Sequence, residues 1–359
     1  MVFLSIFFDK KLNSLTPYTP GEQPKETKGL IKLNTNESPF PPSSKVIDAI
    51  NEASKNLNLY SDPTCSRGVA ATAAFYGVES QNVFLGNGSD EVLAFVFHGL
   101  CRDGAVFADI TYGFYNVFAS MFGVKQKIIP LGNDFLIDVD DYNGLKGTVF
   151  IANPNAPTGI LLPLGEIEKL LAQDQNRLVV IDEAYIDFGG ESAVNLVEKY
   201  NNLLVVQTFS KSRSLAGARL GFAIAEKSII ADLNRMKYSF NPYNVNSVSL
   251  AAAKAAMEDT EYFDECRRTI IKNREYITKE LKSLGFCVLD SHANFVFVGK
   301  HPKIKAADYY GLLRDNNILV RYFGAERIDD FVRISIGTSE QMERLAEVTR
   351  IITDNFKTF

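Results

Sequence analysis

The stretch LLVVQTFSKSRSLAGARLG, residues 203–221, decides the fold prediction for this chain. It opens with an apolar, β-branched run, Leu203–Gln207, of the kind that forms strands covered by helices on both faces. Hydroxyl side chains then surround a single lysine, Lys211, and Arg219 follows further along. Because ligands of open α/β sheets bind beyond the carboxyl ends of the strands, this stretch predicts a binding site as well as a strand.

Similar apolar runs lie on both sides of this stretch and alternate with longer helical patterns. They are Asn82–Leu85, Ala105–Ala108, Lys127–Leu131, Thr148–Ala152, Leu178–Ile181 and Gly221–Ala225. Strand and helix alternating over about 150 residues predict an α/β fold, in which a mostly parallel sheet is flanked by helices.

The chain after about Ala225 has a more helical pattern, whereas the first 43 residues are rich in proline and are predicted to be extended and irregular. We expect an N-terminal arm (1–43), a large domain (44–255) and a smaller α+β domain (256–359) that includes part of the arm. The elements predicted beyond Ala225 are Ser247–Met257, Glu261–Leu284, Phe286–Leu289, Asn294–Val298, Lys303–Asp315, Ile318–Tyr322, Phe331–Ser335 and a helix from Ser339.

Composition and charge exclude several classes of function. The 359 residues carry a formal net charge of -5, whereas nucleic-acid binding needs a surplus of lysine and arginine. The four cysteines and three histidines show no metal-ligand spacing, and the scattered thiols fit a reducing compartment. The apolar start, Val2–Phe8, is too short to span a membrane, and we expect it to pack on a partner. We therefore expect a cytoplasmic protein without a metal, nucleic-acid or membrane site.

Polar residues collect where the predicted strands end. The loop at 86–91, GNGSDE, offers backbone N–H groups to an anion at the start of a helix, although a plain turn has the same sequence. Asp182 ends an apolar strand, where a carboxylate is costly to bury without a partner, although an N-cap role is the alternative. Lys211, taken alone, is also compatible with a surface lysine. The convergence of these groups on one sheet edge favours a functional site.

These residue types match the chemical requirements of pyridoxal phosphate. Its aldehyde needs a lysine amine such as that of Lys211, and nearby cations make such an amine more nucleophilic by lowering its pKa. Its ring nitrogen needs a carboxylate, such as that of Asp182, to stay protonated. Its phosphate needs backbone N–H groups, hydroxyls and an arginine such as Arg219. The strand ends therefore predict a pyridoxal-phosphate site.

The chain resembles the fold-type-I, pyridoxal-phosphate-dependent aminotransferases, and among them most closely the histidinol-phosphate aminotransferases. The resemblance runs from LNTNESP at 33–39 to VRISIGT at 332–338, and its most specific part is 208–221. It implies a homodimer in which the two subunits share their active sites.

The resemblance also implies roles for individual residues. Lys211 is implied to hold the cofactor as a Schiff base and to move the proton, Asp182 to pair with the pyridine nitrogen, and Tyr185 to hydrogen-bond the phenolic oxygen. One departure is Ala156, which stands where many relatives have an asparagine, and Asn155, or else Asn153, is expected to replace that contact. The other implied cofactor contacts are Tyr112 on the ring, the phosphate ligands Ser89, Asp90, Thr208, Ser210 and Arg219, and Tyr60 supplied to the phosphate by the other subunit.

The substrate is implied to bind through two arginines and the arm. Arg333 matches the arginine that receives the substrate's acidic end, and Arg321 matches a second one in the histidinol-phosphate branch, although it is also compatible with a solvated charge. Tyr18 and Asn36 resemble substrate-closing residues, or plain arm contacts. The implied reaction transfers the amino group of L-glutamate to imidazole-acetol phosphate. The alternatives are an aromatic-amino-acid aminotransferase, a threonine-phosphate decarboxylase and a non-enzymatic sensor of pyridoxal phosphate.

Overall fold

The computed structural model describes residues 5–13, 15–25 and 28–356 of the chain. The helices are α1 Ser44–Ser54, α2 Ser66–Tyr76, α3 Ser89–Gly99, α4 Phe114–Phe122, α5 Leu164–Gln173, α6 Lys227–Phe240, α7 Ser247–Glu258, α8 Thr260–Ser283, α9 Ala306–Asp315 and α10 Ser339–Asn355. The strands are β1 Ile31–Lys32, β2 Val83–Gly86, β3 Ala105–Ala108, β4 Gln126–Ile129, β5 Thr148–Ala152, β6 Val179–Asp182, β7 Leu203–Thr208, β8 Gly221–Ala225, β9 Cys287–Val288, β10 Phe295–Gly299, β11 Ile318–Leu319, β12 Arg321–Tyr322 and β13 Phe331–Ser335.

Part of the predicted arm and the last residues of the predicted small domain lie outside the described residues. These are residues 1–4, 14, 26–27 and 357–359. The predicted packing of Val2–Phe8 on a partner falls partly in this group. Within the described part of that segment, Ile6 and Phe7 are 92% and 90% exposed.

The largest sheet in the described part of the chain has seven strands in the order β2-β8-β7-β6-β5-β3-β4. β8 runs antiparallel to both of its neighbours, whereas β7, β6, β5, β3 and β4 pair in parallel. These strands coincide within about two residues with the seven apolar runs of the sequence. The predicted α/β class with a mostly parallel sheet is confirmed.

The two faces of this sheet bury alternating side chains of each strand. In β5, Val149 and Ile151 pack in one cluster with residues of α5 and α7, whereas Phe150 and Ala152 pack in another with residues of α3, α4 and α6. Because helices cover both faces, every residue of β5, β6, β7 and β8 is buried. On these four strands, the positions open to a ligand are therefore the strand ends.

The C-terminal part contains a four-stranded antiparallel sheet, β12-β13-β10-β9, against which α8, α9 and α10 pack. α10 begins with a capping box, in which Thr338 and Gln341 bond each other's backbone. The prediction of a single strand at Ile318–Tyr322 is wrong. β11 pairs in parallel with β1 of the arm, and β12 pairs antiparallel with β13. The run is divided at Val320 because its two halves have partners in different sheets.

Candidate active site

A cavity of about 710 Å³ lies at the carboxyl ends of β5, β6 and β7. The arm covers one side of it and the β12–β13 connection covers another. The structure brings thirteen of the predicted site residues to this cavity: Tyr18, Asn36, Ser89, Asp90, Tyr112, Asp182, Tyr185, Thr208, Ser210, Lys211, Arg219, Arg321 and Arg333.

Two predicted residues do not line the cavity in the described structure. The amide nitrogen of Asn155 donates to the Ile110 carbonyl at 2.9 Å, while Ala156, its neighbour, faces the cavity. Tyr60 is 83% exposed and stacks on Tyr243, with 4.5 Å between the ring centroids. The predicted cofactor contact of Asn155 therefore has no support within the chain, and that of Tyr60 requires a second subunit.

Asp182 is the buried carboxylate of the site. It is the last residue of β6, between β5 and β7, so burial of those strands also buries its side chain. Its Oδ2 accepts a hydrogen bond from the Tyr115 hydroxyl at 3.0 Å, whereas its Oδ1 is buried without a partner. Burial raises the pKa of this carboxyl to about 7, against the Tyr115 hydrogen bond, and the Asp90 charge adds to the increase. Asp182 thus has one oxygen available for a protonated ligand group.

This burial has a consequence for the protein without its cofactor. The Asp182 carboxyl ionises near 3.8 in the unfolded chain but only near 7 in the folded one. The folded state therefore binds more protons between these values, and this contribution to stability is lost progressively as the pH rises from 3.8 to 7, by up to about 1.4 kcal/mol per pH unit. We expect Asp182→Asn to have a higher melting temperature, relative to the wild type, at pH 8 than at pH 5.

The exposed Asp232 of α6 supplies the control for this measurement, since it takes part in no described hydrogen bond or ion pair. We expect Asp232→Asn to show the same difference from the wild type at both pH values. A pH-independent difference for Asp182→Asn as well would contradict the raised pKa.

The start of α3 forms an anion cradle beside this carboxylate. Gly88, with φ of 85°, precedes the helix without a side-chain cap, so the first N–H groups of the helix are left for a ligand. Arg219 reaches the same place, with its Nη2 3.1 Å from Asp90 Oδ2. The Thr208 and Ser210 hydroxyls lie 3.0 Å apart at the end of β7. Hydroxyls, N–H groups and a guanidinium together suit a phosphate.

Gly221 allows β8 to pass close to this cradle. A Cβ atom at this position would lie 2.2 Å from the Ser89 nitrogen, which real contacts do not allow. We expect Gly221→Ala to shift the start of α3 and to weaken binding of pyridoxal phosphate by ~10-fold or more, because such overpacking costs about 1–3 kcal/mol. Titration of the variant with the cofactor, followed by absorbance, measures this. Gly165→Ala is the control, since its Cβ would meet nothing within 4 Å, and equal affinities in both variants would refute the steric argument.

Lys211 lies in the cavity between the arm and Tyr185. Its Nζ donates to the Thr35 carbonyl at 3.3 Å and lies 5.8 Å from the centroid of the Tyr185 ring. The Tyr185 hydroxyl accepts from Asn36 Nδ2 at 3.1 Å. Asn36 is itself fixed, because its backbone N–H and its Oδ1 both bond the Ser335 hydroxyl at 2.9 Å. The lysine therefore faces a tyrosine whose orientation is set by the arm.

Two arginines form a cationic part of the cavity lining. Arg321 and Arg333 are directly paired across β12 and β13, and both guanidiniums lie near the Phe323 ring, at 5.4 and 5.5 Å from its centroid. Arg333 donates to the Asn34 carbonyl at 3.1 Å, and its Nε is buried without a partner. Arg321 donates to the carbonyls of the arm residues 19 and 20, each at 3.3 Å. Two adjacent guanidiniums suit a phosphate dianion.

Three features of the site were not predicted from the sequence. Tyr115, the donor to Asp182, is the second residue of α4 and follows the predicted Tyr112 by three residues. Lys32 forms an ion pair with Glu37, which lines the cavity, and this lowers the pKa of the Glu37 carboxyl despite its partial burial. The third feature is a contact between distant residues, Asp109 and Arg327, which no local pattern indicates.

The described residues contain no group of three or more potential metal ligands among His, Cys, Asp and Glu. Each of the four cysteines is free of a disulfide bond. Among residues 5–13, 15–25 and 28–356, no helix is both long and apolar enough to cross a membrane.

The chain is similar in sequence to known aminotransferases. The sequence profile "Aminotransferase class I and II" matches residues 28–348, and the chain therefore belongs to this family. It is 48% identical over 353 residues to the histidinol-phosphate aminotransferase of Brachyspira hyodysenteriae, which covers 97% of this chain and 99% of the relative. It is 49% identical over 349 residues to histidinol-phosphate aminotransferase 1 of Bradyrhizobium diazoefficiens, with 97% and 99% covered.

A solved structure of a histidinol-phosphate aminotransferase has the same fold as this chain. Histidinol-phosphate aminotransferase from Sinorhizobium meliloti, in complex with pyridoxal-5'-phosphate, superimposes with a TM-score of 0.84 at 25% identity, covering 97% of this chain and 99% of that one. The resemblance to histidinol-phosphate aminotransferases that the sequence predicted is confirmed.

Proposed function

We propose that this chain transfers the amino group of L-glutamate to imidazole-acetol phosphate, giving L-histidinol phosphate and 2-oxoglutarate in histidine biosynthesis. The observation that carries the proposal is the pairing of Arg321 with Arg333 in the lining of the same cavity that holds Lys211 and Asp182. The first pair suits a phosphorylated substrate, and the second suits pyridoxal phosphate. The relatives at nearly half identity support the same assignment.

The residues present fit pyridoxal phosphate. The unpartnered Oδ1 of Asp182 would accept from the protonated ring nitrogen, which would also favour the ionised carboxylate. The N–H groups of Ser89 and Asp90, with the hydroxyls of Thr208 and Ser210, would hold the phosphate. When bound, the cofactor supplies an electron sink for the bond that loses its proton. Tyr185 would donate to its phenolic oxygen, and Tyr112 would lie against its ring.

Lys211 carries the proton transfers in this proposal. Its amine would take the α-proton of glutamate as a general base and deliver a proton as a general acid within the same half-reaction, and it would make the reverse transfers when the second substrate is converted. Tyr18, stacked on Phe114 with 4.4 Å between centroids, closes the arm side and limits the access of water.

The visible spectrum of the purified protein tests this function. We expect a band of covalently bound cofactor that changes when stoichiometric L-histidinol phosphate is added. A band that changes only with phenylalanine or tyrosine would instead favour an aromatic-amino-acid aminotransferase. Release of carbon dioxide from threonine phosphate, without a keto acid, would favour the decarboxylase. A cofactor band that no amino donor changes would favour a sensor.

The homodimer is also a proposal, and an exposed apolar patch supports it. Tyr60, Tyr243 and Phe240 are 83%, 41% and 79% exposed, and Leu59 beside them is 64% exposed. Exposed aromatic groups of this kind are typical of protein interfaces. A cytoplasmic location is proposed too, because the four free thiols suit a reducing compartment.

Mixing two variants tests whether the subunits share their active sites. We expect Tyr60→Ala to weaken cofactor binding by ~10-fold or more, as expected for a lost hydrogen bond to a charged group. In a mixed dimer of one Tyr60→Ala subunit and one Lys211→Ala subunit, one of the two active sites contains both Tyr60 and Lys211. Turnover at limiting cofactor should therefore exceed the sum of the two separate variants. Tyr276→Ala, on the exposed face of α8, is the control, and a merely additive mixture after subunit exchange would argue against shared sites.

A further inference from the structure

The loop at 323–330, which joins β12 to β13, forms one wall of the cavity. Four of its residues line the cavity: Phe323, Ala325, Glu326 and Ile328. We propose that Arg327 is a positioning residue that fixes this loop against the large sheet and thereby holds the paired arginines Arg321 and Arg333 in place. This inference rests on the proposed function, because it assigns those arginines to a phosphorylated substrate.

The Arg327 guanidinium makes three contacts with the large sheet and the segment that follows it. Nη1 donates to Asp109 Oδ2 at 2.5 Å, and Nη2 donates to the carbonyls of Leu131 and Gly132 at 2.7 and 3.0 Å. The guanidinium also lies 5.8 Å from the centroid of the Phe135 ring. The two charged side chains are only 30% and 25% exposed, so water screens this pair less than a surface ion pair.

Asp109 is a rigid partner for this contact. It directly follows β3, and its second oxygen, Oδ1, accepts from the backbone N–H groups of Ile110 and Leu131, each at 2.9 Å. Two backbone groups, just beyond β3 and β4, therefore hold the carboxylate independently of Arg327. The loop is therefore bonded to the end of β3 in the large sheet.

The backbone of the loop supports a positioning role. Arg327 has φ of 72°, in the left-handed region, which is unfavourable for a residue with a Cβ atom. Such a conformation persists where the surrounding contacts impose it. The contacts available here are those of the guanidinium and of Ile328, which packs in an apolar cluster with Phe135 and Phe331. The same set of contacts thus fixes both the side chain and the backbone of Arg327.

Phe323 links the contacts of Arg327 to the two arginines of the cavity, Arg321 and Arg333. The guanidiniums of Arg321 and Arg333 lie 5.4 and 5.5 Å from its ring centroid, and the ring packs against the same apolar cluster as Ile328. A cation above an aromatic face is held by the charge distribution of the ring. When the loop is fixed, the ring and therefore the two cations keep their places. When the loop is released, the cations lose one of the groups that orient them.

Arg327→Met tests the inference, since it keeps the apolar stem and removes the guanidinium. We expect the KM for L-histidinol phosphate to rise by about tenfold or more while kcat stays within about twofold, because substrate orientation is lost and the proton-transfer groups are untouched. We also expect faster cleavage after Glu326 by a glutamate-specific protease, a measurement that does not depend on activity. The absorbance band of the bound cofactor should stay as in the wild type.

Arg344→Met is the matched control, because Arg344 pairs with Glu347 on the exposed face of α10. It should leave KM and cleavage unchanged. Arg327→Lys, which keeps the charge but not the forked contacts, should give an intermediate KM and serves if the Met variant does not fold. A wild-type KM together with wild-type cleavage in the Arg327 variants would overturn the inference. Failure of the wild type itself to act on L-histidinol phosphate would overturn the proposed function instead, and the cleavage rates would still test the loop.

Discussion

Replacing Lys211 by alanine is expected to abolish transamination, with kcat lowered by at least ~10⁴-fold. The variant loses both the amine that would bind the cofactor covalently and the base that would move the α-proton, and acid–base catalysis alone contributes about 10²–10⁴-fold. Within the described part of the chain, Lys211 is the only lysine that lines the cavity, so no neighbouring amine can replace it. Steady-state formation of 2-oxoglutarate measures the loss.

Two further measurements separate a chemical defect from a folding defect in this variant. The melting temperature of the cofactor-free variant should stay near that of the cofactor-free wild type, since among the described residues the Lys211 amine makes one long hydrogen bond, at 3.3 Å. Lys227→Ala is the control, because Lys227 forms an exposed ion pair with Glu79 outside the cavity. It should keep full turnover. Substantial turnover by Lys211→Ala would end the assignment of this residue.

The second large effect is expected when the paired arginines are replaced, and the two variants should differ in the substrate for which kcat/KM falls. Arg333→Met should lower kcat/KM for both L-glutamate and L-histidinol phosphate by ~10²–10³-fold, as expected when one partner of a buried charge pair is removed at a cost of 2–5 kcal/mol. Arg321→Met should lower kcat/KM for the phosphorylated substrate by a similar factor but affect glutamate by less than about tenfold. The reason is that a carboxylate needs one guanidinium, whereas a phosphate dianion can use two.

Measurement of each half-reaction separately, by the absorbance change of the bound cofactor, gives these ratios directly. Arg350→Met, which removes a surface pair with Glu280 between α10 and α8, is the control for loss of an arginine in the same part of the fold. If Arg321→Met affected both substrates equally, the second cation would have no part in recognising a phosphate.

The main features of the fold could be predicted from the sequence because they depend on local patterns. Each strand of the large sheet is an unbroken apolar run, and parallel strands bring their carboxyl ends to one edge. This is why Asp182 and Lys211, 29 residues apart in sequence, could be expected near each other. The prediction needed only the order of runs and the residue that follows each one.

The remaining features depend on contacts between distant segments. The division of Ile318–Tyr322 follows from pairing with β1, nearly 300 residues earlier, which no pattern within the run reveals. The contact between Asp109 and Arg327 likewise requires the two sheets to be in place. The position of Asn155 depends on its hydrogen bond to Ile110, whereas its neighbour Ala156 faces the cavity. In each case the sequence gives the residue type but not its partner.

The pairing of β1 with β11 has a consequence for how the enzyme matures during translation. Asn36 follows β1 and contacts Tyr185, but it is held by Ser335 and by Asn294, whose Nδ2 donates to the Asn36 carbonyl at 3.0 Å. The N-terminal segment therefore leaves the ribosome first but finds its partners only when the C-terminal strands emerge. A nascent chain stalled before Asn294 would already contain Lys211 and Asp182, yet its active site would remain open on the arm side.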